Sequence, residues 1–203
     1  SNPVTSQYSY EYNRNNWLTQ ADFSSSSNSN ATDYQVRGIR YDANGNIDRL
    51  IRNKNSVNGS SNAMDNLTYH YDPDHPNQLE WVDDTVATTS VGDIGAQTPD
   101  NYEYNKIGQL IRNEQDRVKY VYNASGLVTE INSLNDVTKL KFYYDDKGKR
   151  VRKVSHDNSG VPISTTHYVR DASGTPMAIY NDNTLKEHTI YGTNRLGVYD
   201  RGM

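Results

Sequence analysis

The chain has 203 residues, no cysteine and a formal charge of −4 from 21 basic and 25 acidic side chains. The missing cysteine excludes disulfides and thiolate chemistry, and charges mixed along the chain without a basic stripe argue against a nucleic-acid partner. No apolar run approaches the ~18 residues that a membrane-spanning helix needs; apolar residues make up 33%, too few for a thick core, although 17 tyrosines supply aromatic surface.

In chain order, one hairpin recurs. Tyr10-Glu11-Tyr12-Asn13 leads through Asn16 to Leu18, with Trp17 and Phe23 assigned to the return strand. Residues 24–33, opened by four serines, read as a polar, solvated loop. Residues 36–41 form a strand that enters Asp42-Ala43-Asn44-Gly45 after Tyr41 and returns over 46–52 with Ile47 and Ile51. Residues 53–65 are a second Asn/Ser/Gly loop. Tyr69-His70-Tyr71-Asp72 pairs with a strand from Leu79 across an insertion bearing Pro73 and Pro76. Residues 83–101 lack the pattern and read as the longest loop, with a short strand over 85–89.

From there the spacing tightens. Tyr102-Glu103-Tyr104-Asn105 leads to Gly108 and Leu110, and Tyr120-Val121-Tyr122-Asn123 leads to Gly126 and Val128. Residues 131–140 carry a helix-like apolar spacing, but Asn132, Ser133, Asn135, Asp136 and Thr138 are poor helix formers, so a hairpin is expected there. Phe142-Tyr143-Tyr144-Asp145 leads to Gly148 and Val151, and Tyr168-Val169-Arg170-Asp171 leads to Gly174 and Met177. Thr189-Ile190-Tyr191-Gly192, leading to Leu196, is the most altered copy.

The local chemistry explains the pattern. Tyrosines two apart in a strand share a face. Asn and Asp bond their own backbone in turns, and Gly takes positive φ without a Cβ clash. The turn residues are separated by 18 (Asn105 to Asn123) to 33 (Asp72 to Asn105) positions. Repeats of this period indicate stacked units that pack on their neighbours, with loops that vary between them. The expected fold is therefore all-β: eight successive antiparallel hairpins in one long curved sheet, with one face lined by tyrosine and aliphatic residues and no separate domain.

No catalytic constellation emerges. His70-Tyr71-Asp72-Pro73-Asp74-His75 gathers possible metal ligands, but an Asp/Pro hairpin loop accounts for them, and no metal is assigned. No serine sits in a Gly-x-Ser-x-Gly turn, and the glycines recur with the hairpins instead of clustering around a phosphate, so neither an enzyme nor a cofactor is expected. Sequons at Asn30, Asn58, Asn66 and Asn123 match what an Asn- and Ser-rich composition produces.

The Tyr-x-Tyr-Asp/Asn-x-x-Gly pattern resembles the YD repeat of the Rhs family. It is carried best by Tyr41-Asp42-Ala43-Asn44-Gly45-Asn46-Ile47, residues 102–110, residues 120–128 and Tyr144-Asp145-Asp146-Lys147-Gly148. The ending Tyr191-Gly192-Thr193-Asn194-Arg195-Leu196-Gly197 is similar to the close of Rhs repeat regions of Bacteroidetes type. The resemblance implies a hollow β-shell like those of polymorphic toxins, Tc toxin complexes and teneurins. It implies a secreted or surface-delivered bacterial protein of which this chain is an excerpt. The implied partners are the rest of the same chain, an enclosed C-terminal polypeptide cargo, or a larger delivery assembly. Self-cleavage is not implied, because Asp72-Pro73 is followed by Asp74 and His75. An adhesin or glycan-binding module, stacking sugar rings on tyrosines, is the alternative, and the irregular spacing counts against it.

Overall fold

The computed structural model describes residues 3–27, 30–56, 61–87 and 93–200. Its regular structure is entirely β: β1 (Ser6–Tyr12), β2 (Leu18–Ser25), β3 (Val36–Tyr41), β4 (Ile47–Asn53), β5 (Ala63–Tyr71), β6 (Leu79–Asp84), β7 (Tyr102–Tyr104), β8 (Leu110–Asn113), β9 (Val118–Tyr122), β10 (Val128–Ser133), β11 (Thr138–Tyr144), β12 (Arg150–His156), β13 (Pro162–Arg170), β14 (Pro176–Asn181), β15 (Thr184–Tyr191) and β16 (Arg195–Asp200). Within each sheet successive strands pair antiparallel, so the all-β fold of hairpins expected from the sequence is the observed one. The helix-like spacing at 131–140 is indeed a hairpin, β10 to β11, closed at Ser133 and Val137.

The strands are divided between two sheets. β1 to β6 form a six-stranded sheet and β7 to β16 a ten-stranded one, both in simple chain order. The interruption falls after β6, where the side chain of Gln97 stands in for a neighbouring strand. Val82 N–H donates to Gln97 Oε1 at 2.9 Å, and Gln97 N–H donates to the Val82 carbonyl at 2.9 Å. With those backbone groups satisfied, no ladder forms there. The short strand expected over 85–89 is absent at 85–87, and 88–89 lie outside the described residues. By contacts the chain forms two compact units, residues 1–104 and 105–203.

In the first unit the polar loops are shorter than the sequence suggests. β2 runs through Ser25, paired with Ser6, so the expected loop at 24–33 begins later. Asn53 closes β4 opposite Ala63, which opens β5, trimming the expected loop at 53–65 from both ends. These loops are also not simply solvated. Asp33 is 1% exposed, and its carboxylate accepts from Asn30 Nδ2, Ser56 N–H, Ser56 Oγ and Asn62 Nδ2. One buried anion thus holds the ends of both Asn/Ser-rich segments. Asn53 Nδ2 adds a bond to the Thr32 carbonyl at 2.9 Å.

The buried apolar set is small. Ala21, Ile39, Leu67 and Val82 are buried in the first unit and Phe142 in the second, alongside buried Asp33, Asn53, Asp65, Asp84 and Asn101 in the first and Asn113 and Thr189 in the second. Hydrogen bonding of buried polar groups therefore contributes to cohesion beside hydrophobic burial. Aromatic contacts extend this at the surface. Tyr8 meets Phe23 at 5.2 Å and Phe23 meets Tyr34 edge-on at 5.2 Å, while Arg152 lies 3.7 Å from the centroid of the Tyr143 ring.

Candidate functional site

The feature that recurs through both units is the corner of the tyrosine-bearing hairpin. At Asn13, Asp42, Asn105, Asn123, Asp145 and Asp171, Oδ1 accepts from the backbone N–H groups two and four residues on. The same residue donates its N–H to the carbonyl four residues on and accepts at its own carbonyl from the residue three on. That third residue is left-handed: Asn16 at φ 61°, Gly45 at 89°, Gly108 at 82°, Gly126 at 78°, Gly148 at 73° and Gly174 at 88°. This is a type I turn followed by a left-handed bulge residue, and register shifts accompany it at Tyr12, Tyr41 and Tyr144. At Gly45 an added Cβ would also lie 3.2 Å from the Trp17 ring, so a side chain there faces both strain and contact.

Hydrogen bonds lower the pKa values of some corner carboxylates. Asp42 is held below its ordinary value first by the Asn46 side-chain amide, and Asp171 first by the Ser173 hydroxyl. Asp72 is lowered first by the backbone N–H of Asp74. Its corner differs from the others because of the insertion, closing instead from Asp72 N–H to the Gln78 carbonyl at 3.0 Å.

The tyrosine before six of the corners does something the sequence does not disclose. Tyr41, Tyr71, Tyr104, Tyr122, Tyr144 and Tyr191 are each the last residue of their strand. Each donates its hydroxyl proton to a carbonyl in the preceding hairpin, respectively Leu18, Ile47, Leu79, Leu110, Val128 and Pro176, at 2.6–3.0 Å. Every acceptor is the first residue of that hairpin's return strand. The phenol thus ties one corner to the next. Where the last strand residue is Arg170 the lock is missing, and the Arg170 guanidinium bonds the Gly174 carbonyl of its own turn. Burial raises the phenols of Tyr69, Tyr104 and Tyr122 and pushes Tyr71 up to about 12.

The remaining motif residues play other parts. Tyr10 and Tyr12 lie exposed on β1, with Tyr10 stacked on Tyr8 at 6.0 Å. Tyr69 and Tyr120 are partly buried in β5 and β9, and Tyr102 Oη accepts from Gln97 Nε2 at 2.9 Å. Gly192 departs from the pattern, donating to the Asn194 carbonyl at 2.9 Å. Trp17 sits in the turn before β2, packed on Tyr41 at 5.1 Å. Two further corners close in a similar way, at Ser133 with Asp136 (φ 62°), inside the hairpin expected over 131–140, and at Asp157 with Gly160 (φ 81°), which went unrecognised in the sequence. No tyrosine precedes them, and an Asp-x-x-Gly spacing alone was too weak a signal. Asp157 is also lowered, first by the Val161 backbone N–H.

The His/Asp segment divides between contacts, with His75 Nδ1 lying 3.4 Å from Asp72 Oδ2. His70 stacks on Trp81 with ring centroids 3.8 Å apart, while Asp72 caps the backbone of Asp74 and His75. In the second unit an open hollow of about 670 Å³ is lined by residues of the Asn123 and Asp145 corners together with Phe142 and Tyr144. It offers aromatic surface and turn polar groups but no nucleophile–base pair among the residues lining it. No helix of the described chain is long and apolar enough to cross a membrane.

No protein-family model and no curated protein matches the chain. Among solved structures, it is similar to a chain of the Photorhabdus luminescens Tc holotoxin pore, at 12% identity and TM-score 0.47 over 96% of this chain. It is also similar to a chain of the TcdB2-TccC3 complex without its hypervariable C-terminal region, at 14% identity and TM-score 0.38 over 94%. The TcdB2-TccC3-Cdc42 structure gives 14% identity and TM-score 0.35 over 93%. The chain spans 12%, 11% and 11% of the length of those three chains, respectively.

Proposed function

We propose that this chain is a non-enzymatic wall segment of a larger, secreted or surface-delivered Rhs/YD-type shell that encloses a polypeptide cargo. The observation that carries the reading is the tyrosine lock. Six hairpins are bonded to the one before through the same pair of positions, so the sheets grow by adding equivalent units. A bulge at each corner increases local twist, which is how a long sheet is made to curve. Six corners share one hydrogen-bonding pattern while the loops opposite them vary, as a wall requires and a convergent active site does not.

The reading is tested by intact mass spectrometry of the full-length natural product purified under native conditions. A second polypeptide travelling with the repeats without a covalent link is expected. A single uncut chain with nothing inside it would overturn the enclosure. The exposed Tyr8, Tyr10 and Tyr12 on β1 favour a second reading, a glycan-binding surface. A glycan array with no hit would eliminate it.

A further inference from the structure

The first unit contains a group of carboxylates that the hairpin pattern does not use. Asp65 in β5, Asp84 at the end of β6 and Asp93 each bring one oxygen within 4.8 Å of the others. Asp65 and Asp84 are 1% and 8% exposed. Three anions this close, largely out of water, repel one another strongly unless a cation joins them. Arg52 supplies one, pairing its Nε with Asp65 Oδ2. Three carboxylates and one guanidinium still leave two formal negative charges.

The partners of Asp84 make the deficit specific. Its Oδ1 accepts from the backbone N–H groups of Asn66 and Val86, both at 2.9 Å. Its Oδ2 is sealed from solvent and meets no hydrogen-bond donor. A buried carboxylate oxygen without a donor bears a desolvation cost that a bound cation would remove. Asp65 Oδ1 accepts from Ile94 N–H at 3.0 Å and keeps a second lone pair for a further partner.

We infer that Asp65, Asp84 and Asp93 form a binding site for one divalent calcium ion. The chemistry fits a hard cation, since the side-chain ligands are all carboxylate oxygens. The size fits as well. Calcium–oxygen distances are roughly 2.3–2.6 Å, so two ligands of one ion are separated by at most about twice that, and the observed limit of 4.8 Å falls within it. The ion would offset the two remaining charges and cross-link β5, β6 and the segment at 93–94, outside any tyrosine corner. Calcium would then stiffen the place where the first sheet ends.

The test is calorimetric titration of the chelator-treated 203-residue protein with calcium chloride, together with its melting temperature. One saturable site is expected, with a dissociation constant no weaker than roughly 1 mM. The melting temperature is expected to rise by about 3–6 °C at calcium tenfold above that constant. Asp84→Asn is expected to lose at least tenfold in affinity and abolish the shift. Its calcium-free melting temperature should not fall, because the amide gives the neighbouring carboxylates a donor. Asp93→Asn, at a partly exposed position, should also abolish the shift and serves if Asp84→Asn fails to fold. Magnesium, with shorter bonds and stricter geometry, is expected to bind at least about tenfold more weakly. The site is refuted by no saturable heat up to about 1 mM calcium, by parental affinity in both variants, or by equal binding of magnesium.

Discussion

A phenol hydroxyl on a neighbouring main-chain carbonyl, repeated along the chain, makes the tyrosine of this motif more than an apolar strand residue. Tyr144→Phe removes the 2.6 Å bond to Val128 while keeping the ring, and should cost about 1 kcal/mol in urea unfolding. Tyr191→Phe, at a residue 38% exposed, should cost measurably less because water replaces the partner. The corner carboxylates give a pH dependence of known sign. Asp42, Asp72, Asp157 and Asp171 have lowered folded values, so their stabilisation is present above the unfolded value of 3.8 and is lost as pH falls through the folded values. Asp157→Asn keeps the acceptor oxygen and should flatten the acid limb of stability measured below about pH 4. At the alkaline end the sign reverses. Tyr71 ionises near 10 when unfolded and at about 12 when folded. Its contribution is therefore complete below pH 10 and lost as pH rises through 12, which absorbance of tyrosinate during unfolding would show.

At the scale of elements, the hairpins are joined by two kinds of connection. Tyrosine corners close the turns after β1, β3, β7, β9 and β11 with few residues, while the opposite connections in the first sheet are long and rich in Asn and Ser. These long connections depend on buried polar groups. Asp33→Ala leaves four donors without their acceptor, so it should destabilise the first unit by about 3 kcal/mol, visible as a lower urea midpoint. Asp33 looked like any loop residue in the sequence, since nothing local distinguishes it from Asp42 or Asp171. Only the meeting of residues 30–33 with 54–56 and 62 buries it.

At the scale of the whole molecule, one edge strand of each sheet carries exposed apolar side chains. β1 presents Tyr8, Tyr10 and Tyr12, and β16 presents Leu196, Val198 and Tyr199. Unpaired strand edges of this kind template association with other chains. The 203-residue chain alone is expected to associate with rising concentration in sedimentation velocity. Tyr10→Lys should reduce that association, since a charge on an edge strand opposes pairing. A monomer at all concentrations would show that these edges are blocked by other means.

The hairpins, their order and most of their corners were legible in the sequence because they depend on neighbours within five residues. Asx bonding, a left-handed Gly and alternating tyrosines act locally, so Tyr41-Asp42 and Gly45 announce their turn wherever they stand. The copy at Asp157 was missed because its local signal lacked the tyrosine. The targets of the tyrosine hydroxyls, the buried Asp33, the strand mimicry of Gln97 and the grouping of Asp65, Asp84 and Asp93 were not legible. Each depends on at least one contact between residues 12 to 29 positions apart, across loops of irregular length. Separations of that kind have no fixed period to read, and they come together only when the strands take their register.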